Sequence, residues 1–142
     1  MLNFGVNYGH VAALAVVNFF LSWIWYSPLL FARPWMVALG KDPNRGMQDM
    51  TEAEKAQMPL LFANGIVSSF LLAFVLAVLV LSLGAKDFAA GATIGALVWF
   101  GCTLTGSLGT LWEGRNPKVL LINNGLFALT YIVYAGILAA WS

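Results

Sequence analysis

Residues 59–83, PLLFANGIVSSFLLAFVLAVLVLSL, form an apolar stretch of 25 residues that contains no charged side chain. A helix needs about 20 such residues to cross the hydrocarbon core of a bilayer. Three further stretches of 24 or 25 mainly apolar residues are 8–31, 88–112 and 117–141. The sequence therefore predicts an all-α, polytopic membrane protein whose four transmembrane helices form one domain.

The composition agrees with a chain dissolved in lipid. Of the 142 residues 61% are hydrophobic and 9% are charged, and the mean hydropathy is +0.82. A soluble domain carries roughly 25% charged residues. The net charge of +1 provides no basic surface for nucleic acid, so no nucleic acid partner is expected.

Metal and cofactor chemistry is not indicated by the residue counts. The chain has one cysteine, Cys102, and one histidine, His10, which cannot form an internal disulfide or supply the ligands of a zinc site. His10 could in principle bind the metal of a haem or chlorophyll, but a lone interfacial histidine is usually structural. No metal and no cofactor are therefore expected.

Helix-ending signals separate the predicted spans. Gly84 suits the C′ position after the second span, and Asp87 can cap the third. Asn116 precedes Pro117, which places a capping side chain before a proline at the first helical position. The last two connections are therefore predicted to be short turns.

Residues 32–58 are the only substantial part outside the predicted spans. Ser27 and Pro28 are expected to kink or end the first helix. Thr51 with Glu54 forms the capping-box pattern of a short helix that leads to the second span. The segment is too short for a catalytic domain and is expected to lie on the lipid headgroups.

The basic residues predict the orientation in the membrane. Six of the seven basic residues lie in or beside two connections, the segment 32–58 and the connection between spans three and four. They are Arg33, Lys41, Arg45, Lys55, Arg115 and Lys118. Only Lys86 lies on the opposite side. Because lysine and arginine concentrate in cytoplasmic loops, we predict a multi-pass protein of the cell (inner or plasma) membrane with both termini outside the cytoplasm.

Spans two and four begin alike. Residues 60–65 are LLFANG and residues 120–125 are LLINNG, so two leucines precede Asn-Gly at the same spacing. The chain is therefore interpreted as two pseudo-repeated helical hairpins of the same orientation, related by an axis along the membrane normal. Chance similarity between apolar segments is the alternative, because only the Asn-Gly pair is informative.

Small residues form a stripe along span three. At about 100° per residue, these positions share one narrow face: Gly91, Gly95, Cys102, Gly106 and Gly109. Small residues let helix backbones approach closely, which is a main source of helix association in lipid. Span three is therefore expected at the centre of the bundle or at a subunit interface, with a glycine-lined pore or ligand groove as the alternative.

Three asparagines lie inside the predicted spans. Asn18 is near the middle of span one, and Asn64 and Asn124 lie on the order of 8–10 Å inside spans two and four. Such amides need partners, so they are expected either to join helices or to line a path for a solute. No acidic, basic or histidine side chain lies near the middle of a span, which argues against a proton relay or an ion-coupled pump.

Two features near span three stand apart from the ordinary aromatic belts. Trp99 lies halfway along the span, and it is expected to fill the core or to contact a bound lipid or pigment. Glu113 lies at the C-terminal end of the span, where the helix dipole disfavours a carboxylate. A cationic partner, Arg115 or Arg33, is therefore expected. Glu113 is interpreted either as a solvated interfacial glutamate or as part of a cytoplasmic ion-pair latch or a substrate contact.

A family resemblance is carried by four stretches: NFFLSWIWYSPLLF at 18–31, SLGTLWEGR at 107–115, LINNG at 121–125 and GILAAW at 136–141. With them the chain resembles a membrane family known as domain of unknown function 1761. The resemblance implies a small four-helix integral membrane protein without an established activity. It also implies a shared feature on the predicted cytoplasmic side, made of Trp25, Tyr26, Pro28, Trp112, Glu113 and Asn124.

Two functions are left open by these patterns. The first is a non-enzymatic, self-associating bundle, a homo-oligomer surrounded by membrane lipid, that binds or passes a small amphiphilic or neutral solute or lipid. The alternative is an accessory or structural subunit of a larger membrane complex of respiratory or photosynthetic type. An enzyme is not expected, because Glu113 is the only acid close to a span end and His10 lies on the opposite side.

Overall fold

The computed structural model describes residues 1–142 and contains helices but no strands. Its five helices are α1 (Tyr8–Trp25), α2 (Ala32–Ala38), α3 (Glu52–Ser82), α4 (Phe88–Glu113) and α5 (Pro117–Ala140). All except α2 are long and apolar enough to cross a membrane. The predictions of an all-α fold and of four helices of spanning length are confirmed.

Local capping ends the helices where the sequence predicts. Asp87 Oδ1 accepts a hydrogen bond from the backbone of Ala90 at 2.9 Å, and Asn116 Oδ1 accepts one from the backbone of Lys118 at 2.9 Å. Gly84 adopts a φ of 69°, a left-handed conformation that closes α3 without a steric penalty. Short turns therefore join α3 to α4 and α4 to α5.

The first helix is shorter than predicted. It ends at Trp25 instead of residue 31, and the chain then turns at Ser27 and Pro28. Ser27 Oγ donates a hydrogen bond to the carbonyl oxygen of Ile24 at 2.7 Å. Because the following proline has no N–H to continue the helix, the turn replaces the last part of the predicted span.

The second spanning helix begins earlier than predicted, at Glu52 instead of Pro59. Thr51 Oγ1 accepts a hydrogen bond from the backbone of Glu54 at 3.2 Å, and Glu54 Oε2 accepts one from the backbone of Thr51 at 2.8 Å. This capping box starts a helix that runs on through Pro59. The proline removes one backbone hydrogen bond there but does not divide α3 into two helices.

The helices pair as two hairpins. α1 packs on α3, α4 packs on α5, and α3 packs on α5 to join the pairs. We call the end with both chain termini the terminal end. There the Asn3 backbone donates to Ser82 Oγ at 2.7 Å, and the rings of His10 and Trp141 contact each other with centroids 4.8 Å apart and planes tilted by 53°. The opposite end, with α2 and the connection from α4 to α5, is the loop end. The pairing agrees with a duplicated hairpin, and the duplication itself stays a prediction.

The main hydrophobic core occupies the terminal half of the bundle. A cluster of 13 buried residues comes mainly from the parts of α1, α3 and α5 nearest that end. Val11, Leu76 and Ala135 are completely buried within it. This half of the bundle is therefore closed by aliphatic packing.

In its first part α4 contacts α5 backbone to backbone. A Cβ atom added at Gly91 would overlap the carbonyl oxygen of Ala135, and one added at Gly95 would overlap the carbonyl oxygen of Tyr131. Only glycine permits this approach. The packing role predicted for these two glycines is therefore present within the chain.

The rest of the small-residue stripe does not pack within the chain. Cys102 is exposed, and a Cβ added at Gly106 or Gly109 would have no neighbouring heavy atom within 4 Å. Span three thus does not lie at the centre of the single chain, and its expected alternative place at a subunit interface stays a prediction. The most buried span is α5, with 44% of its apolar window buried against 11% for α4.

The reason lies in the winding of α4. It is α-helical over Phe88–Val98, π-helical over Trp99–Leu104, α-helical again over Thr105–Gly109, and 3₁₀-helical over Thr110–Glu113. A π turn contains an extra residue, so positions beyond it rotate by about 100° from the face predicted for a regular α-helix. The second half of the stripe therefore points away from α5.

Candidate functional site

A polar cavity lies between α1, α3, α4 and α5, from the middle of the bundle toward the loop end. Its volume is about 420 Å³, and none of its 13 lining residues is charged. Nine of them carry a hydroxyl or an amide: Asn18, Ser22, Tyr26, Asn64, Ser68, Ser69, Thr103, Thr130 and Tyr131. The fold thus gathers neutral hydrogen-bonding groups from all four spanning helices around one space.

Asn18 both joins two helices and lines the cavity. Its Nδ2 donates a hydrogen bond to Ser69 Oγ at 2.7 Å, which connects α1 to α3, and both side chains are buried. On α5 the hydroxyl of Thr130 donates to the carbonyl oxygen of Phe127 at 3.2 Å. These bonds fix the inner wall of the cavity.

The other five polar lining side chains form no hydrogen bond within the protein: Ser22 on α1, Asn64 and Ser68 on α3, Thr103 on the π-helical part of α4, and Tyr131 on α5. Asn64 and Ser68 are exposed, so the cavity opens to the surface of the bundle. In lipid such groups are costly without partners. We therefore expect water or a polar solute to occupy the cavity.

The loop-end wall of the cavity is held by Asn123. Tyr26 Oη donates to Asn123 Oδ1 at 2.7 Å, and Trp35 Nε1 donates to the same oxygen at 3.2 Å. These three residues, the Asn123 cluster, tie the chain after α1 to α5. Asn123 and Trp35 are not among the site residues predicted from the sequence; the signal for Asn123 is that LINNG has an asparagine where LLFANG has Ala63.

Trp25 packs beside this cluster. Its Nε1 donates to the carbonyl oxygen of Ile122 at 3.1 Å, and a Cβ added at Gly125 would lie 3.2 Å from its ring. The glycine of the LINNG stretch therefore makes room for the indole. Trp25 joins α1 to α5 and does not line the polar cavity.

The remaining residues implied by the family resemblance lie elsewhere. Pro28 is in the turn after α1, and Trp112 is 95% exposed. Glu113 pairs with Arg115 at 3.9 Å, on the exposed surface of the loop end. Arg115 is thus the cationic partner expected for Glu113, and the structure does not bring these residues to the cavity.

Asn124 and Trp99 line a separate, apolar groove between α4 and α5. Asn124 Nδ2 donates to Ser107 Oγ on α4 at 2.7 Å and to the carbonyl oxygen of Leu120 at 2.9 Å. The interhelical bond predicted as one role for this asparagine is present. The three asparagines therefore line two different spaces: Asn18 and Asn64 line the polar cavity, and Asn124 lines the apolar groove.

The chemistry available in the polar cavity is hydrogen bonding. No group of three or more His, Cys, Asp or Glu side chains is placed to hold a metal ion anywhere in the chain. The lining offers hydroxyl and amide groups that both donate and accept. Such a lining can recognise an uncharged solute by its hydrogen bonds.

Comparison with known proteins assigns the family. The profile of the family described as protein of unknown function (DUF1761) matches residues 10–139, which include nearly all of the four spanning helices. The chain belongs to this family. No curated protein and no solved structure matches the chain. The family has no known function, so the activity has to be inferred from the cavity.

Proposed function

We propose that the protein binds a small, uncharged, hydrogen-bonding solute in the polar cavity of a membrane-embedded bundle. The observation that carries this proposal is the convergence of nine hydroxyl and amide side chains on one space of about 420 Å³. Ligand sites commonly measure about 300–1,000 Å³. An ionic solute would lose its hydration there without gaining a counter-charge, so the proposed ligand is neutral.

Access to the cavity is proposed from the loop end and from the adjoining lipid. The terminal half is filled by the core around Val11, Leu76 and Ala135, which leaves no polar route in that direction. At the loop end the cavity is bounded by Tyr26, which its hydrogen bond to Asn123 holds in place. Binding is therefore the activity proposed, and passage across the membrane would require the core helices to part.

We place the protein in the cell membrane with the loop end in the cytoplasm. This orientation is supported by six of the seven basic residues, which lie at that end. The two termini would then face the opposite compartment. A protease-accessible tag at each terminus would test this in sealed right-side-out vesicles: cleavage from outside is expected, and protection of both tags would reverse the orientation.

A second candidate function, an accessory subunit of a larger complex or a self-associating bundle, is favoured by the outer face of α4. Cys102, Gly106 and Gly109 leave that face open and free of bulky side chains. Such faces let another transmembrane helix approach closely. Disulfide cross-linking through Cys102 in native membranes tests this function. A cross-linked dimer would indicate a second copy, a cross-link to another protein would indicate a different partner, and no cross-link would indicate neither.

Thiol labelling tests the cavity proposal. Cysteine is introduced at Ser68 or Thr103 in a Cys102→Ala background, and a neutral, water-soluble methanethiosulfonate reagent is applied to the protein in lipid nanodiscs. The native Cys102, exposed on the outer face of α4, is the matched control. Because thiolates form only where water reaches the sulfur, we expect the cavity cysteines to react about tenfold faster than Cys102.

Protection by solutes then identifies the ligand class. Glycerol and urea are expected to slow labelling of the Ser68→Cys variant, while acetate and choline leave its rate unchanged. Equal labelling rates at Ser68→Cys and at native Cys102 would show that the cavity is dry. Protection by the ionic solutes would show that charge does not decide what enters.

A further inference from the structure

The apolar groove between α4 and α5 forms a second potential binding site, separate from the polar cavity. Its volume is about 460 Å³, and seven of its ten lining residues are hydrophobic. No lining residue is charged. Leu108 and Leu121 on its walls are also exposed, so the groove opens sideways toward the lipid.

The groove exists because the two helices diverge after a region of close contact. Gly91 and Gly95 bring α4 against the backbone of α5 near the terminal end. From Trp99 onward the π-helical turn rotates α4, and large leucine side chains such as Leu104 then stand between the helices. The space is thus a permanent consequence of the helix geometry and not a loosely packed surface.

Two buried polar atoms at the groove have no partner. Asn124 is 6% exposed, and its Oδ1 accepts no hydrogen bond although its Nδ2 makes two. The Nε1 of Trp99, a donor, is likewise buried and unpaired. Buried polar atoms are nearly always satisfied, so an acceptor and a donor left free beside one apolar groove point to an occupant.

We propose that the groove holds an uncharged lipid with a free hydroxyl group. Each of the two atoms exposes less than 1 Å², so the side chains of Asn124 and Trp99 must turn toward the groove when the lipid binds. The hydroxyl then donates its hydrogen bond to Asn124 Oδ1, and an oxygen of the same lipid accepts from Trp99 Nε1. The hydrocarbon part lies against Leu104, Leu108 and Leu121. The volume is about three times the roughly 150 Å³ of an apolar cavity that binds benzene, which suits part of an acyl chain.

The chemistry of the walls selects this class of lipid over a phospholipid headgroup. A phosphate or an ammonium group would find no opposite charge in the groove and would be costly there. Asn124 also lies seven positions inside α5, about 10 Å below its start at 1.5 Å per residue. A single hydroxyl can be taken to that depth at low cost because it finds an acceptor there.

Native mass spectrometry of the full chain, released from detergent micelles, tests the proposal with two probes. The first is 1,2-dioleoylglycerol, and the second is its 3-acetyl ester, which has the same chains but no hydroxyl. We expect wild type to retain the first about fivefold better than the second, the effect of one hydrogen bond. In Asn124→Leu this preference should fall to about one, while Thr93→Val, a change on α4 outside the groove, should keep it.

A second variant avoids the buried amide, in case Asn124→Leu does not fold. Leu108→Trp fills the groove from an exposed position, and it should reduce retention of both probes alike. Equal retention of the two probes by wild type would overturn the proposal, as would full retention by Leu108→Trp. Retention of neither probe would mean that water satisfies the two atoms and that no lipid is bound. None of these outcomes bears on solute binding in the polar cavity.

Discussion

Replacing Gly95 by alanine tests whether the contact between α4 and α5 holds the bundle together. The new Cβ would overlap the carbonyl oxygen of Tyr131 and lie 3.0 Å from the Cβ of Ala135. Neither obstacle is the end of a flexible side chain that could rotate away. The two helices must therefore move apart, and the neighbouring contact at Gly91 would loosen with them.

The expected loss in the free energy of unfolding depends on which atom the new Cβ would overlap. Forcing an extra methyl group into a well-packed region costs about 1–3 kcal/mol, and because the obstacle here is backbone we expect about 2 kcal/mol. Gly106→Ala is the matched control on the same helix, since a Cβ there meets nothing within 4 Å. Its free energy of unfolding should stay within about 0.5 kcal/mol of wild type.

Both variants are measured by titrating the protein in mixed micelles with sodium dodecyl sulfate and following helix content by circular dichroism. The free energy of unfolding should fall for Gly95→Ala and remain near the wild-type value for Gly106→Ala. If Gly95→Ala proved as stable as wild type, the close approach of α4 and α5 would be wrong. Equal losses for both variants would instead show that Gly106 also packs, against a second copy or a partner.

In the same titration, Asn18→Leu should lower the free energy of unfolding by about 1 kcal/mol, since bonds of this kind between membrane helices are worth about 0.6 kcal/mol on average and up to about 1.7; an unchanged value would mean that its bond to α3 contributes nothing. Tyr26→Phe removes one of the two bonds to Asn123, about 1 kcal/mol, and should speed thiol labelling inside the polar cavity, whereas slower labelling would exclude a closing role. Arg45, through its hydrogen bonds, lowers the pKa of Glu54 to about 2 from 4.5 in the aqueous turn that precedes the apolar part of α3. That pairing stabilises the fold above pH 4.5, and its stabilisation is lost as the pH falls through about 2. In the Arg45→Ala variant, NMR titration of the Glu54 carboxyl should show its pKa rising toward the ordinary value.

The sequence predicted those parts of the fold that depend on neighbouring residues. Asp87, Asn116 and Gly84 act on the backbone within three residues of themselves, so their roles follow from local chemistry alone. The capping box at Thr51 correctly predicts a helix start, but the structure joins the expected short helix to the span as one helix that continues through Pro59. A proline near the beginning of a long helix removes one hydrogen bond, which many others outweigh.

What could not be predicted depends on helix phase and on distant partners. A face predicted with one constant rotation per residue does not hold for α4, because the π-helical turn changes the rotation from Trp99 onward. The polar cavity needs residues up to 113 positions apart, from Asn18 to Tyr131, to face one another. The sequence identifies individual asparagines as candidates. Which serines and threonines lie beside them, and so form the cavity, is visible only in the three-dimensional structure.

Because the aliphatic core occupies only one half of the bundle, it limits the routes by which a solute could enter or leave the polar cavity. The polar cavity opens to the surface but does not continue through the terminal half, because fully buried side chains such as Leu76 fill that half. A solute bound as we propose would therefore leave by the loop end or the adjoining lipid, and not through the terminal end. This arrangement favours reversible binding of the proposed solute over its passage across the membrane.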